Sequence, residues 1–128
     1  MSERTPITAP AAPAAVGPYS QAIRHGDLIF CSGALPLDPG SGELVDGTLA
    51  DEAERCLRNI AAVCDAAGTR LERTLRTTVF TTNLEGFAEI NAAYERFFPT
   101  AAPARAAVGV VALPRGARVE IDAIVAVD

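Results

Sequence analysis

TLADEAERCLRNIAAVCDAAG, Thr48 to Gly68, is the stretch from which the fold is read. Thr48 followed three residues later by Asp51 makes a capping-box pattern, in which each side chain satisfies a backbone N–H that the first helical turn leaves unpaired. Ala53, Cys56, Leu57, Ile60, Val63, Cys64 and Ala67 then recur at helical spacing. Gly68 closes the run as a residue that accepts a left-handed backbone. A helix with one apolar face needs a surface to bury it against, and its flanks supply one. Upstream, Tyr19–Arg24 and Leu28–Ser32 suit strands, and His25-Gly26-Asp27 carries turn chemistry, so a hairpin ending at Gly33 is predicted. After Pro36, Asp38 to Gly42 reads as a loop, followed by a short edge strand near Leu44.

Downstream, Leu75, Thr77 and Val79 alternate with Arg76, Thr78 and Phe80 in a β-branched strand that ends near Asn83. Asn83 can cap a second helix whose stripe is Phe87, Ile90, Tyr94 and Phe97, with Asn91 lying on that stripe and Pro99 stopping it. Two last strands, about Arg105–Ala112 and Arg118–Val127, flank Leu113-Pro114-Arg115-Gly116. The order predicts an α+β layer, a mixed β-sheet with two helices packed on one face. Ala106, Val108 and Val110 alternate with Ala107, Gly109 and Val111, so both sheet faces read as apolar. No third helix is left to cover the second face, and self-association is the simplest cover.

The chain has 128 residues, which suits one domain, 1–128, with residues 1–18 as an Ala/Pro-rich lead-in arm. Alanine accounts for 25 residues, yet the larger apolar types still suffice for one core. All 11 basic residues are arginine, and without lysine there is no Schiff-base amine and no P-loop phosphate contact. His25 is the only histidine, which excludes multi-histidine zinc sites and leaves a Ser-His-Asp triad one candidate base. The net charge of -5 gives no general attraction to nucleic acid or anionic lipid. No stretch approaches a membrane span and Met1–Gly17 holds no apolar core of signal-peptide length, so a cytoplasmic protein is expected. Cys31, Cys56 and Cys64 lack C-x-x-C spacing and read as reduced, structural thiols.

Several polar residues interrupt apolar surroundings. Arg105 opens an Ala/Val/Gly strand, where a guanidinium either reaches solvent at a strand end or aims at an anion. Glu120 sits between Val119 and Ile121, either as an edge carboxylate or as a functional one, and Asp122 shares its face. Asn91 on a helical stripe requires a specific partner, because an unpaired buried amide costs about 1–3 kcal/mol. Ser32 as a nucleophile fails on distance, since His25 lies at the other end of its strand.

The order of motifs resembles the reactive-intermediate deaminase family, RidA/YjgF, along nearly the whole chain. The matches are G-P-Y-S at Gly17–Ser20, S-G at Ser32-Gly33, D-P-x-S-G-E around Asp38–Glu43, N-I-x-A-V at Asn59–Val63 and T-T-V-F at Thr77–Phe80. They continue with F-A-x-I-N-A-x-Y at Phe87–Tyr94, F-F-P at Phe97–Pro99, P-A-R at Pro103–Arg105 and V-E-I-x-A-I at Val119–Ile124. The resemblance implies a chorismate-mutase-like fold, a homotrimer with sites between subunits, and no metal or cofactor. It also implies hydrolysis of enamine and imine acids such as 2-aminoacrylate and 2-iminopropanoate to 2-keto acids and ammonia. It carries over Tyr19, Ser32, Gly33, Asn91, Arg105 and Glu120 as the site. Many members have glutamine after S-G and cysteine two residues after the arginine, where this chain has Ala34 and Ala107. If the cysteine acts through its backbone, Ala107 serves as a substrate contact; if its thiol tunes substrate choice, the preferred substrate differs.

These residue types suit the implied chemistry. Arg105 can clamp a carboxylate through two charge-assisted hydrogen bonds, and Glu120 can deprotonate the attacking water and return the proton to nitrogen. Tyr19 and Ser32 can shuttle protons or bind nitrogen, and Gly33 leaves its amide open to the carboxylate. Two other readings stand beside this one: a non-catalytic trimer that binds small carboxylates, and an enzyme of the same type acting on a biosynthetic intermediate. Ribonuclease activity, sometimes attributed to members, is opposed by the acidic charge and the lack of a usable base histidine. If the last two strands paired around Leu113–Ala117, Arg105 would stand about 16 Å from Glu120 along the ladder at ~3.3 Å per residue. Either those strands are not neighbours, or the two residues meet across a subunit boundary.

Overall fold

The computed structural model of the chain describes residues 3–127, so Met1, Ser2 and Asp128 of the domain and arm expectations lie outside the described residues. Among the described residues the strands are β1 (Thr5–Ile7), β2 (Ala22–His25), β3 (Leu28–Ala34), β4 (Thr74–Thr81), β5 (Ala104–Gly109) and β6 (Val119–Ala126), and the helices are α1 (Leu49–Ala66) and α2 (Phe87–Phe97). The strands form one sheet in the order β1-β2-β3-β6-β4-β5, antiparallel except for the parallel pair β4 and β5. This is the α+β layer read from the sequence.

The helix that decided the fold is built as its residues demand. The Asp51 N–H donates to Thr48 Oγ1 at 3.1 Å, and the Thr48 N–H donates to Asp51 Oδ2 at 3.0 Å. At the other end Gly68 takes φ 82°, and the N–H groups of Gly68 and Thr69 close on the carbonyls of Asp65 and Cys64. Cys56, Leu57, Ile60 and Cys64 of α1 bury against Ile29, Val79, Val119, Ile121 and Val125 of the sheet, and α2 adds Ile90, Ala93 and Tyr94. Each fully buried Leu or Ile contributes about 1.5–3 kcal/mol relative to exposure. All three cysteines are free and buried.

Four local expectations are corrected. Thr5–Ile7 of the arm pairs with β2, so the arm contributes an edge strand. Tyr19 to Gln21 lie outside the hairpin strand, which starts at Ala22. Leu75 is half exposed because the register of β4 against β6 shifts between Thr74 and Arg76, which puts Thr74 rather than Leu75 in phase with Thr77 and Val79. Asn83 caps a single 3₁₀ turn, Leu84–Gly86, and α2 begins behind it. Of the alternatives left open for the last two strands, the structure has the one in which they are not neighbours, because β4 lies between β5 and β6.

The sheet face away from the helices is mixed rather than apolar. Phe30, Phe80, Ile124 and Val108 share it with Arg76, Thr78, Glu120 and Asp122, as the pairing and alternation of the strands require. Phe30 and Val108 remain partly exposed there. No helix of the described residues is long and apolar enough to cross a membrane.

Candidate active site

Arg105 stands in β5, the outermost strand, paired with Thr77 of β4. Thr77 is buried under the helices, so alternation directs Arg105 to the helix-covered face. There its guanidinium lies 5.2 Å from the ring centre of Phe87 and 4.9 Å from that of Tyr94, and its Nη1 donates to Asn91 Oδ1 at 2.8 Å. Thr77 Oγ1 and the Tyr94 hydroxyl are hydrogen-bonded at 2.7 Å. Burial pushes the Tyr94 hydroxyl above the ordinary phenol range, against the opposing pull of Thr77 and Arg105. Three residues of one helix therefore aim one cation. Asn91 does have the specific partner that its position required, but it is exposed rather than buried. At 100° per residue, a position next to Ile90 falls off the buried stripe.

Ala107 follows on the same strand and is also exposed. The Val110 N–H bonds the Thr81 carbonyl at 2.9 Å. Alternate residues of a parallel edge strand face its neighbour, so Arg105, Ala107 and Gly109 turn their backbone groups to the open edge. Ala107 thus offers an N–H beside the guanidinium without a side chain in the way.

The other candidates gather at the bulged end of β3. The register of β3 against β6 breaks between Cys31 and Ala34, around Ser32 and Gly33. Ser32 donates its hydroxyl proton to the Ser20 carbonyl at 2.6 Å, and its N–H bonds the Gln21 carbonyl at 3.0 Å. Glu120 folds over Gly33 so closely that a Cβ at Gly33 would fall on its carboxylate. Only glycine fits this position while Glu120 stays where it is. Desolvation, reinforced by Asp122, raises the Glu120 carboxyl above the ordinary carboxylate range. Tyr19 is 53% exposed beside them, its hydroxyl accepting the Val16 N–H at 3.4 Å.

Within one chain the two groups do not meet. Arg105 is level with Thr77 on β4 and Glu120 with Phe80, on opposite faces of the sheet and two strands apart. With ~3.3 Å per residue and ~4.8 Å per strand, their Cα atoms stand about 14 Å apart. One cluster contains Arg105, Asn91 and the edge at Ala107; the other contains Tyr19, Ser32, Gly33 and Glu120.

Sequence reasoning missed Phe87 and Tyr94 as the platform for Arg105, reading them as core stripe. Their spacing from Asn91 on one helix was the available signal. It also missed Gln21. The Gln21 amide accepts the Ala9 N–H at 2.6 Å and donates to the carbonyls of Ala9 at 3.1 Å and Pro13 at 2.7 Å, fastening the arm beside Tyr19.

Known proteins match this chain along nearly its full length. The family model described as Endoribonuclease L-PSP matches residues 9–127. The RutC family protein y4sK of Sinorhizobium fredii is 53% identical over 120 residues, 94% of this chain and 95% of that protein. The 2-iminobutanoate/2-iminopropanoate deaminase of Mus musculus is 45% identical over 121 residues, 94% of this chain and 90% of that one. Among solved structures, RidA from a Psychrobacter species superposes with a TM-score of 0.93 at 42% identity, covering 97% of this chain and 100% of that one. Escherichia coli TdcF with bound serine superposes with a TM-score of 0.91 at 35% identity, over 97% and 99%. In fold, in motif order and over its length, this chain belongs to the Endoribonuclease L-PSP family, the RidA/YjgF proteins.

Proposed function

We infer that the protein hydrolyses 2-imino and 2-enamino acids to 2-keto acids and ammonia, at sites completed between copies of the chain. The observation that carries this reading is the pairing of two half-sites of complementary chemistry on opposite faces of one subunit. One is a carboxylate clamp, Arg105 with the Ala107 N–H; the other is a desolvated carboxylate, Glu120, lodged against a glycine. The named deaminases among the relatives support the same chemistry.

Arg105 receives the substrate carboxylate through two N–H donors, its approach set by Phe87, Tyr94 and Asn91. Glu120, supplied by a neighbouring copy, accepts a proton from water as the water oxygen bonds the imine carbon and the C=N pair moves to nitrogen. The proton passes from Glu120 to that nitrogen. The carbinolamine then collapses: its hydroxyl proton passes by way of Glu120 to the nitrogen, the C–N bond breaks, ammonia leaves and the remaining oxygen forms the keto group. A carboxyl raised above its ordinary range suits both halves of this exchange. Ser32 and Tyr19 bind the nitrogen or water, and Gly33 lets the planar imine lie against the backbone.

A homotrimer with three interfacial clefts accounts for the open β5 edge and for the exposed apolar side chains of Phe30, Leu84, Val108 and Val111. The ribonuclease activity in the family's description has less support in a chain of net charge -5 whose one histidine sits at a hairpin tip. The decisive experiment generates imino acids in situ from amino acids and follows loss of the imine against spontaneous hydrolysis. Acceleration by the wild type but not by Glu120→Gln supports the reading. A folded wild type that binds 2-keto acids yet accelerates no imine would replace it with the carboxylate-binding trimer.

A further inference from the structure

A cavity of about 70 Å³ lies behind the Ser32–Gly33 bulge, between the arm, the end of β3 and α1. Tyr19, Ser32 and Gly33 belong to its lining, and Gly33 is the residue on which Glu120 closes. Tyr19 is exposed and Ser32 and Gly33 are partly so, whereas Cys31, Ile60 and Val63 at the inner end are buried. The cavity therefore runs inward from the reaction centre. Strand β2 starts only at Ala22, opposite Cys31, so among the described residues no strand closes β3 on this side beyond that point.

Apart from Tyr19 and Ser32 at its mouth, the polar side chains on its wall, Asn59 and Gln21, are already engaged. Asn59 donates both amide protons to the carbonyls of Leu35 and Leu37, at 3.1 and 2.9 Å, and accepts the Arg55 Nε–H at 3.1 Å. Gln21 is held by the arm through its three hydrogen bonds. What faces an entering group is aliphatic, from Leu35, Leu37, Ile60, Val63 and the methyl of Ala34. A charged or hydroxylated group would lose its water there without replacement partners. The volume is about half of the ~150 Å³ apolar cavity that accepts benzene, so a ring does not fit.

We propose that this cavity is a side-chain subsite, which makes the protein select 2-imino acids bearing a three- or four-carbon aliphatic side chain. The proposal rests on Tyr19, Ser32, Gly33 and Glu120 forming the reaction centre, as inferred above. Each methylene transferred from water into an apolar site is worth about fourfold. The imine derived from leucine carries three more carbons than that from alanine, so its kcat/KM is expected to be roughly 50-fold higher, with the phenylalanine- and glutamate-derived imines below leucine's. Ala34 is part of the lining, and Ala34→Leu adds three carbons of protein to that wall.

The test measures wild type and Ala34→Leu on the four imines, and measures by calorimetry the affinity of wild type for pyruvate and for 4-methyl-2-oxopentanoate. Support is a leucine-over-alanine preference of at least ~10-fold in wild type that shrinks to within about threefold of unity in Ala34→Leu, with 4-methyl-2-oxopentanoate binding correspondingly tighter than pyruvate. Equal acceleration of the alanine and leucine imines, with equal binding of the two keto acids, overturns the subsite and leaves the deaminase reading standing. Absence of acceleration with every imine, alongside tighter binding of 4-methyl-2-oxopentanoate, overturns the deaminase reading and supports the subsite. If Ala34→Leu does not fold, Ala34→Val and the wild-type keto-acid pair decide the matter. A preference that survives a filled cavity in a folded variant overturns the proposal.

Discussion

Mixing two inactive variants, Arg105→Ala and Glu120→Gln, reads the subunit arrangement of the site directly. Arg105 and Glu120 occupy opposite faces of one sheet with Cα atoms about 14 Å apart, so no small imino acid touches both in one chain. Removing the guanidinium deletes two charge-assisted hydrogen bonds, each worth about 1.5–3 kcal/mol, and a loss of roughly 100-fold or more in kcat/KM is expected. The fold should survive it. Arg105 is exposed, and its two ring contacts contribute about 0.5–1 kcal/mol each and its bond to Asn91 about 1 kcal/mol. When the two variants are unfolded together, refolded at equal ratio and assayed for imine hydrolysis, each cleft draws Glu120 from one copy and Arg105 from the next. Half the copies have an intact Glu120 and half an intact Arg105, so about one quarter of the clefts are wild type by random assembly. Activity is expected to rise from about 1% in either variant alone to about 25% of wild type in the mixture. A mixture no more active than its parts, with chain exchange verified by differently tagged copies, would refute the intersubunit site.

The remaining expectations concern single residues and assembly. Glu120→Gln keeps shape but not basicity, so turnover should fall at least ~100-fold while 2-keto acids still bind at Arg105, and the rise of wild-type activity with pH through the raised Glu120 range should vanish. Because burial raises this carboxyl, the fold favours its protonated form. That contribution is fully present below the unfolded pKa and is lost as pH rises through the folded one. Glu120→Gln should therefore melt no lower than wild type at neutral pH, as calorimetry across pH would show; a clear loss of stability would make Glu120 structural. Glu52 is buried and accepts the Arg118 backbone N–H at 2.9 Å and the Arg118 Nε–H at 2.6 Å. Glu52→Ala should cost about 2–3 kcal/mol in denaturant unfolding, Arg118 being partly exposed, and a cost below ~0.5 kcal/mol would show the clip to be idle. Light scattering should give a trimer at micromolar concentration, and an active monomer would end the interfacial mechanism.

The sequence by itself determined the local elements and the identity of the polar residues. Capping, helical periodicity and glycine termination are short-range physics, and Thr48, Asp51 and Gly68 do what their chemistry demands wherever the helix docks. The hairpin around Gly26, the succession of strands and helices along the chain and the suspicion attached to Asn91, Arg105 and Glu120 were legible for the same reason. The pairing of strands was not. Both β5 and β6 are rich in alanine and valine and suit any neighbour, so only the tertiary structure placed β4 between them and joined β5 to it in parallel. The phase of β4 depended on a register shift that no alternation reveals, and a three-residue strand in a proline-rich arm carries too little pattern to be seen. The use of Phe87 and Tyr94 to aim a guanidinium, the closure of Glu120 on Gly33 and the cavity behind that bulge are contacts between residues 11 to 87 positions apart, or around a local break in register. Sequence spacing reports which face of an element a residue occupies; which partner stands opposite is decided when the elements pack.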